Sequence, residues 1–181
     1  MVKQKRVLLG VTGSIAAYKS AEIIRRLVEK GLKVSVIMTK EAGHFITPLT
    51  LASLSGEKVY QGMFDKKKDP EEMPHITLAR DADVFIIAPA TANIIGKLAN
   101  GIADDLLTCI ALATKAPILI APAMNTQMYQ NKIVQENCRK LKKYGVQFID
   151  PIRGNLACGT TGKGHIADET IIVKTVLRTI K

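Results

Sequence analysis

Three side chains in this sequence have a chemistry and a setting that stand out: Asn125, Cys158 and His75. Asn125 lies in Pro122-Ala123-Met124-Asn125-Thr126-Gln127-Met128, directly after the apolar run Pro117 to Ala121. Such a run reads as a buried parallel strand, and open α/β sheets bind ligands at the carboxyl ends of their strands. An amide there offers one acceptor and two donors, suited to a carboxylate or another amide. Asn is also a preferred helix N-cap, so the residue alone supports capping and ligand binding equally. Cys158 sits in a loop where Gly154, Gly159, Gly162 and Gly164 fall within eleven residues. That density predicts a mobile lid with an accessible thiol, whose pKa the neighbouring Lys163 would lower. His75 follows Pro74 and opens the apolar segment containing Ile76 and Leu78. By itself, a lone histidine carries little catalytic weight.

Two more strand ends carry small and polar residues. The first strand runs into Gly10-Val11-Thr12-Gly13-Ser14-Ile15-Ala16. Gly13 would let the backbone approach an anion, Ser14 offers a hydroxyl, and the helix that follows starts with free N–H groups. The motif is not a strict G-x-G-x-x-G, and a plain tight turn explains it equally. The second strand ends in Met38-Thr39-Lys40, without the acidic residue that reads a dinucleotide ribose. This favours a mononucleotide such as FMN over NAD. The third ends in Ala88-Pro89-Ala90-Thr91-Ala92-Asn93, where small residues let a flat ring lie against the backbone. Thr91 and Asn93 would bond its polar edge or phosphate; either would also serve as a helix cap.

Strand and helix patterns alternate to hold these turns. Strands are predicted over Arg6–Val11, Val34–Met38, Val84–Ala88, Ile118–Ala121 and Val146–Ile149. Helices are predicted over Ile15–Lys30, Pro48–Leu54, Ile76–Arg80, Ala103–Thr114, Lys132–Tyr144 and Asp168–Ile180, with Gly31, Gly56 and Gly145 as stops. Lys66–Pro74 reads as a polar loop and Asp150–His165 as a long loop. Ala90 to Gly101, dense in Ala, Gly and Asn, reads as too small and polar for a core helix start and is expected to meet a neighbouring subunit near the ligand. The order predicts an α/β fold: a doubly wound, mostly parallel sheet in a flavodoxin/Rossmann-like three-layer sandwich. The 181 residues fit one domain, 1–181.

The bulk composition narrows the function classes. A formal charge of +10 would allow an acidic or phosphorylated ligand. The only tight basic run, Lys66-Lys67-Lys68, is surrounded by Asp65, Asp69, Glu71 and Glu72, and no aromatic-interleaved basic stripe argues for nucleic acid. No apolar run approaches the length of a membrane span, and Met1 to Lys5 with Val7–Val11 is too short for a secretory signal, so a cytoplasmic protein is expected. Cys109, Cys138 and Cys158 have neither disulfide nor metal-ligand spacing. Cys109, among Leu106, Leu107, Ile110 and Leu112, reads as a small core hydrophobe.

Taken together, Gly13-Ser14-Ile15-Ala16, Pro89-Ala90-Thr91-Ala92-Asn93, Pro122 to Met128 and Leu156-Ala157-Cys158-Gly159 resemble the flavin-dependent cysteine decarboxylases, most closely the phosphopantothenoylcysteine decarboxylases of coenzyme A biosynthesis. The resemblance covers nearly the whole chain, and the last two motifs are the most specific. It implies FMN held by Gly13, Ser14, Ile15, Thr39, Thr91, Ala92, Asn93 and Ala123. It implies a catalytic His75, Asn125 and Cys158, and a substrate, phosphopantothenoylcysteine, bound by Met124, Asn125, Ala157, Cys158 and Gly159. It further implies homotrimers, often stacked into homododecamers with FMN at a subunit interface, and a separate or fused phosphopantothenoylcysteine synthetase as partner. His165 stands where the family usually has Arg, and Tyr129 where Trp is common. Rival readings are a flavin prenyltransferase, which would need neither the Asn125 segment nor the Cys158 loop; a peptidyl-cysteine decarboxylase with the same chemistry; and a flavoprotein that regulates a phosphatase.

Overall fold

Two interleaved sets of apolar residues, alternating along the strands except across an irregularity between Ile87 and Ala90, build the core. In the computed structural model, which describes residues 4–63, 73–155, 159 and 161–181, the first set includes Val7, Leu9, Val11, Val34, Val36, Val84, Ile86, Leu119 and Ala121. The second includes Leu8, Ile37, Phe85, Ile87, Ala90 and Ile120. A strand's side chains point alternately to its two faces, so this sorting means a sheet buried on both sides. The strands are β1 (Arg6–Val11), β2 (Lys33–Met38), β3 (Val59–Tyr60), β4 (Val84–Ala90), β5 (Ile118–Pro122) and β6 (Gln147–Phe148). They pair in parallel in the order β3-β2-β1-β4-β5-β6.

Helices cover both faces. Helices α1 (Lys19–Glu29), α2 (Pro48–Ser55) and α8 (Glu169–Thr179) contribute Ile23, Ile24, Leu27, Leu51, Ile172 and Val176 to the first set. Helices α3 (Pro74–Asp81), α4 (Ala92–Ala99), α5 (Leu106–Ala113) and α7 (Lys132–Lys143) contribute Ala79, Ile94, Ile95, Leu107, Ile110 and Leu141 to the second. A short α6 (Thr126–Gln130) follows β5. The fold is the expected doubly wound α/β sandwich. Strand order reverses between β1 and β4, so the ligand crevice lies at their carboxyl ends.

Several local expectations are corrected. Ile15–Lys30 is not one helix: a 3₁₀ turn, Ile15–Tyr18, capped by Ser14, precedes α1. The helix expected from Ala103 begins at Leu106, because Asp105 is extended and closes a capping box with Thr108. Ala90–Gly101, expected to lack a core helix, holds α4, whose Ile94, Ile95 and Ala99 are buried on three helically spaced positions. The long loop 150–165 contains an antiparallel pair, β7 (Ile152–Asn155) and β8 (Thr161–His165). Glycine-rich strands carry little propensity signal, which is why the pair escaped the sequence pattern. The expected helix stops hold, with Gly31, Gly56 and Gly145 all at positive φ. Of the polar loop expected over Lys66–Pro74, residues 66–72 lie outside the described residues, and Pro74 is instead the first residue of α3.

Candidate active site

The crevice between β1 and β4 is built around Thr12, which the sequence did not single out. Its side chain is 2 % exposed. The hydroxyl donates to the Pro89 carbonyl at 2.7 Å and accepts from the Thr91 N–H at 3.1 Å. One buried side chain thereby ties the ends of β1 and β4 together just beyond Gly10 and Ile87, where their backbone pairing stops.

Around it, three predicted hydroxyl residues start three helical segments at the same sheet edge. Ser14 accepts from the Ala16 N–H at 3.3 Å and caps the 3₁₀ turn. Thr39 accepts from the Ala42 N–H at 3.3 Å and caps a second 3₁₀ turn, Lys40–His44; its own N–H reaches the Val11 carbonyl at 3.0 Å. Thr91, not Asn93, caps α4, accepting from the Ile94 N–H at 3.3 Å. A helix start leaves backbone N–H groups outward and carries a positive dipole end, so the edge favours an anion such as a phosphate. Each hydroxyl is engaged as an acceptor by its cap, and its own O–H remains a donor type for a ligand oxygen. Gly13 has a packing reason besides the one expected. A Cβ there would stand 2.5 Å from the Cβ of Glu41, so the position is glycine because the second 3₁₀ turn packs on it. Glu41 itself is exposed and lies beyond the Met38-Thr39-Lys40 segment where an acidic residue was sought.

The small residues form the floor. Ala123 donates its N–H to the Ala90 carbonyl at 2.9 Å, and both are buried, Ala123 at 3 % exposure. Ala92 is half-buried, while Ile15 and Asn93 are exposed. The donor set and the methyl-sized floor fit a phosphorylated planar cofactor: hydroxyls and N–H groups for the polar parts, alanines where a side chain would obstruct a ring.

Asn125 does cap a helix: its Oδ1 accepts from the Gln127 N–H at 2.8 Å. The bond settles the amide's orientation, since Oδ1 serves α6 and Nδ2 is the donor end. Beside it, the Met124 N–H donates to the Gly164 carbonyl at 3.0 Å, so β8 lies on the Asn125 turn. Lys163 in β8 has its Nζ 5.8 Å from the centre of the Tyr129 ring on α6, so a described partner for Lys163 is Tyr129. Tyr129 is buried, and burial raises its phenol pKa. Cys158 and Ala157 lie outside the described residues; Gly159 is at positive φ.

His75 is half-exposed in the first turn of α3, where Pro74 at the helix start needs no N–H partner. The far end of α3 is tied to the amino end of the sheet by Asp81, whose carboxylate pairs with Arg6 of β1 at 3.1 Å. The six residue steps from Asp81 back to His75 span roughly 9 Å, which carries His75 toward the carboxyl edge. A cavity of about 620 Å³ opens at the opposite edge beside Leu112, Pro117 and Tyr144. Among the described residues, its only hydroxyl or ammonium side chains are Thr114, which donates to the Ala79 carbonyl at 2.9 Å, Lys140 and Tyr144. It is therefore the crevice, not this cavity, that gathers reactive groups.

Comparison with known proteins shows what the whole chain is similar to. The chain is 49 % identical over 174 residues to the coenzyme A biosynthesis bifunctional protein CoaBC of Bacillus subtilis (strain 168), covering 96 % of this chain and 43 % of that protein. The chain thus spans less than half the length of the CoaBC relatives it matches. It is also 49 % identical over 173 residues to a probable phosphopantothenoylcysteine decarboxylase of Streptococcus mutans, covering 94 % of this chain and 96 % of that one. Among solved structures, a cysteine-to-serine PPC decarboxylase complexed with pantothenoylaminoethenethiol superposes with a TM-score of 0.85 at 36 % identity, covering 97 % of this chain and 98 % of that one. The FMN binding protein AtHal3 superposes at 0.81 with 36 % identity, covering 97 % of this chain and 96 % of that one. Residues 1–181 match the flavoprotein family from end to end, and with a crevice whose hydroxyls, helix starts and alanine floor suit a phosphorylated ring, the chain belongs to that family.

Proposed function

We propose that this chain decarboxylates phosphopantothenoylcysteine to phosphopantetheine, with FMN as its flavin. The observation that carries the reading is the convergence on one sheet edge of the Ser14, Thr39 and Thr91 turns with the Asn125 turn and β8. A flavin cradle and a carboxylate-reading amide are the two things the reaction requires side by side. Support comes from the relatives, among them a decarboxylase matched along nearly its whole length.

A cysteine carboxylate cannot simply lose CO2, because the carbanion left behind has no electron sink. FMN, when bound, would supply the two-electron oxidation and later reduction at the thiol-bearing carbon that create and then remove such a sink. Gly13, Ser14, Ile15, Thr39, Thr91, Ala92, Asn93 and Ala123 would hold it, the exposed Asn93 and Ile15 from the rim and the buried Ala123 as floor. Asn125 would donate through Nδ2 to the substrate carboxylate, holding the bond to CO2 in one orientation. Met124 and Gly159, with Ala157 and Cys158, would line the substrate. His75 would act as an acid–base or electrostatic group during oxidation or decarboxylation. Cys158 would deliver the proton that the product carbon takes up, a role suited to a thiol with an ordinary pKa of about 8.5. In this reading residues 1–181 form a single cytoplasmic domain that assembles into homotrimers or homododecamers, with its substrate made by a separate or fused phosphopantothenoylcysteine synthetase.

The test is direct. Purified protein with FMN is mixed with phosphopantothenoylcysteine, and separately with a peptide ending in cysteine, and products are weighed by mass spectrometry. Loss of CO2 from the first substrate in preference to the peptide is expected. Preference for the peptide would make the chain a peptidyl-cysteine decarboxylase, and turnover of neither would end the decarboxylase reading.

A further inference from the structure

Strand β8 meets the Asn125 turn across two glycines, with no room for a side chain at either. A Cβ on Gly162 would stand 2.2 Å from Thr126 Oγ1 and 3.0 Å from both its Cβ and Cγ2. A Cβ on Gly164 would stand 2.2 Å from the Met124 carbonyl oxygen. Residues two apart on a strand share a face, so Gly162 and Gly164 make one flat face of β8, and Met124 to Thr126 lie on it. The Met124 N–H to Gly164 carbonyl bond, 3.0 Å, fixes the register of that contact. Thr126 Oγ1 is buried there and has no hydrogen-bond partner among the described residues. A buried hydroxyl left without a bond is disfavoured, so its place is dictated by shape rather than by a bond it makes.

We infer that Gly162 and Gly164 are positioning residues for the reaction: their bare face seats the β7–β8 hairpin on the Asn125 turn, with Thr126 as the counter-surface, and so sets the Asn125 amide against the substrate carboxylate. This rests on the decarboxylase reading of Asn125. A methyl group at 162 needs about 1 Å more room to reach ordinary contact with Thr126. Misplacement on that scale costs on the order of a hundredfold in rate. The flavin turns at Ser14, Thr39 and Thr91 are on other elements and are not displaced.

The experiment compares Gly162→Ala, Thr126→Ala, the double variant and Gly164→Ala, each as flavin-loaded protein. Flavin content, kcat and KM for phosphopantothenoylcysteine, and hydrogen exchange at the Met124 amide are measured together. Gly162→Ala should keep its flavin, lose kcat on the order of a hundredfold with a smaller change in KM, and exchange the Met124 proton on the order of tenfold faster. Thr126→Ala removes the 2.2 Å clash and leaves a Cβ pair at 3.0 Å, which shifts of a few tenths of an ångström relieve. The double variant should therefore recover most of the rate and the protection of Thr126→Ala alone. Gly164→Ala should be impaired and not rescued, because its clash is with a carbonyl and its φ of +156° disfavours any side chain. Where Gly162→Ala does not accumulate folded, recovery of folded protein in the double variant supports the seat, and failure to recover overturns it. Parent-like kcat and Met124 exchange in Gly162→Ala, or a double variant as impaired as the single, overturns it too. A parent chain that turns over no phosphopantothenoylcysteine defeats the decarboxylase reading instead, and Met124 exchange then decides the seat alone.

Discussion

Thr12 shows how much one buried hydroxyl can hold. Replacing it by Val keeps the volume but leaves the Pro89 carbonyl and Thr91 N–H without that partner. The expected loss is about 1–3 kcal/mol of stability, together with weaker flavin retention because the Ser14 and Thr91 turns lose their common anchor. Denaturant titration followed by flavin fluorescence checks both, and an unchanged midpoint with full flavin content would show that the bridge is dispensable. At Asn125, Asp preserves the acceptor that caps α6 but replaces the donor with a negative charge, whereas Ala removes both. Asn125→Asp should hold the parent's stability within about 0.5 kcal/mol, the range of a retained cap, and still lose turnover by repelling the carboxylate. Equal turnover in Asn125→Asp and the parent would mean that Asn125 is a cap and nothing more. Cys158→Ser should bind flavin and substrate and release CO2, then stall at the unsaturated enethiol, because a hydroxyl is a far weaker acid than a thiol. Saturated product at the parent rate, read by mass, would remove Cys158 as the proton donor.

Among the elements, α1 and α8 pack side by side and share a half-hidden ion pair, Lys19 to Glu169 at 2.9 Å, with side chains 13 % and 16 % exposed. Cutting it with Glu169→Gln should cost between about 1 and 3 kcal/mol, above a surface pair and below a fully buried one. The acid side of the stability profile is set on the same face. Hydrogen bonds from Arg25, then Arg26, pull the Glu22 carboxyl from 4.5 down to about 2, and bonds from the Thr170 hydroxyl and N–H lower Asp168 at the start of α8. Both carboxylates bind protons more weakly folded than unfolded. The contribution of Glu22 is therefore complete above about pH 4.5 and is lost as pH falls toward 2, and that of Asp168 is lost in the same acid direction. Both groups face solvent, so the effect is modest and salt-screened. Thermal melts between pH 5 and 2 should fall less steeply in Glu22→Gln than in the parent, and the difference should shrink in high salt. A parallel pair of curves would show that the Glu22 ion pairs contribute nothing to folding.

For the whole molecule, the exposed apolar residues Ile15, Tyr18 and Phe45 fall within or just after the two 3₁₀ turns that flank the crevice, and exposed Leu49 lies in the first turn of α2 that follows. Apolar surface beside a ligand site is the kind that a neighbouring subunit covers. Light scattering at micromolar concentration should give an assembly, with a trimer as its unit, that carries its yellow colour through purification and releases FMN on denaturation. Monomer with full flavin content would place the cofactor within one chain and remove the assembly from the mechanism.

Long apolar runs made the sheet legible in the sequence: β1, β2, β4 and β5 are strands buried on both faces, and burial writes itself into composition. The turns at Ser14, Thr39, Thr91 and Asn125 were legible for a related reason, because a cap residue after a buried strand is a local signal. What the sequence left open was whether Asn125 caps a helix, and that depended on the φ/ψ of the residues around it. Contacts between distant segments were not legible at all. Thr12 meets Pro89 and Thr91 across the sheet, Gly13 meets Glu41, and Gly162 meets Thr126; no periodicity records such pairs. The glycine run read as mobility because glycine's local preference is weak, but at Gly162 and Gly164 it is a strand face emptied to admit another turn. Local propensity and burial determined the elements, and only tertiary packing decided which side chains share the crevice.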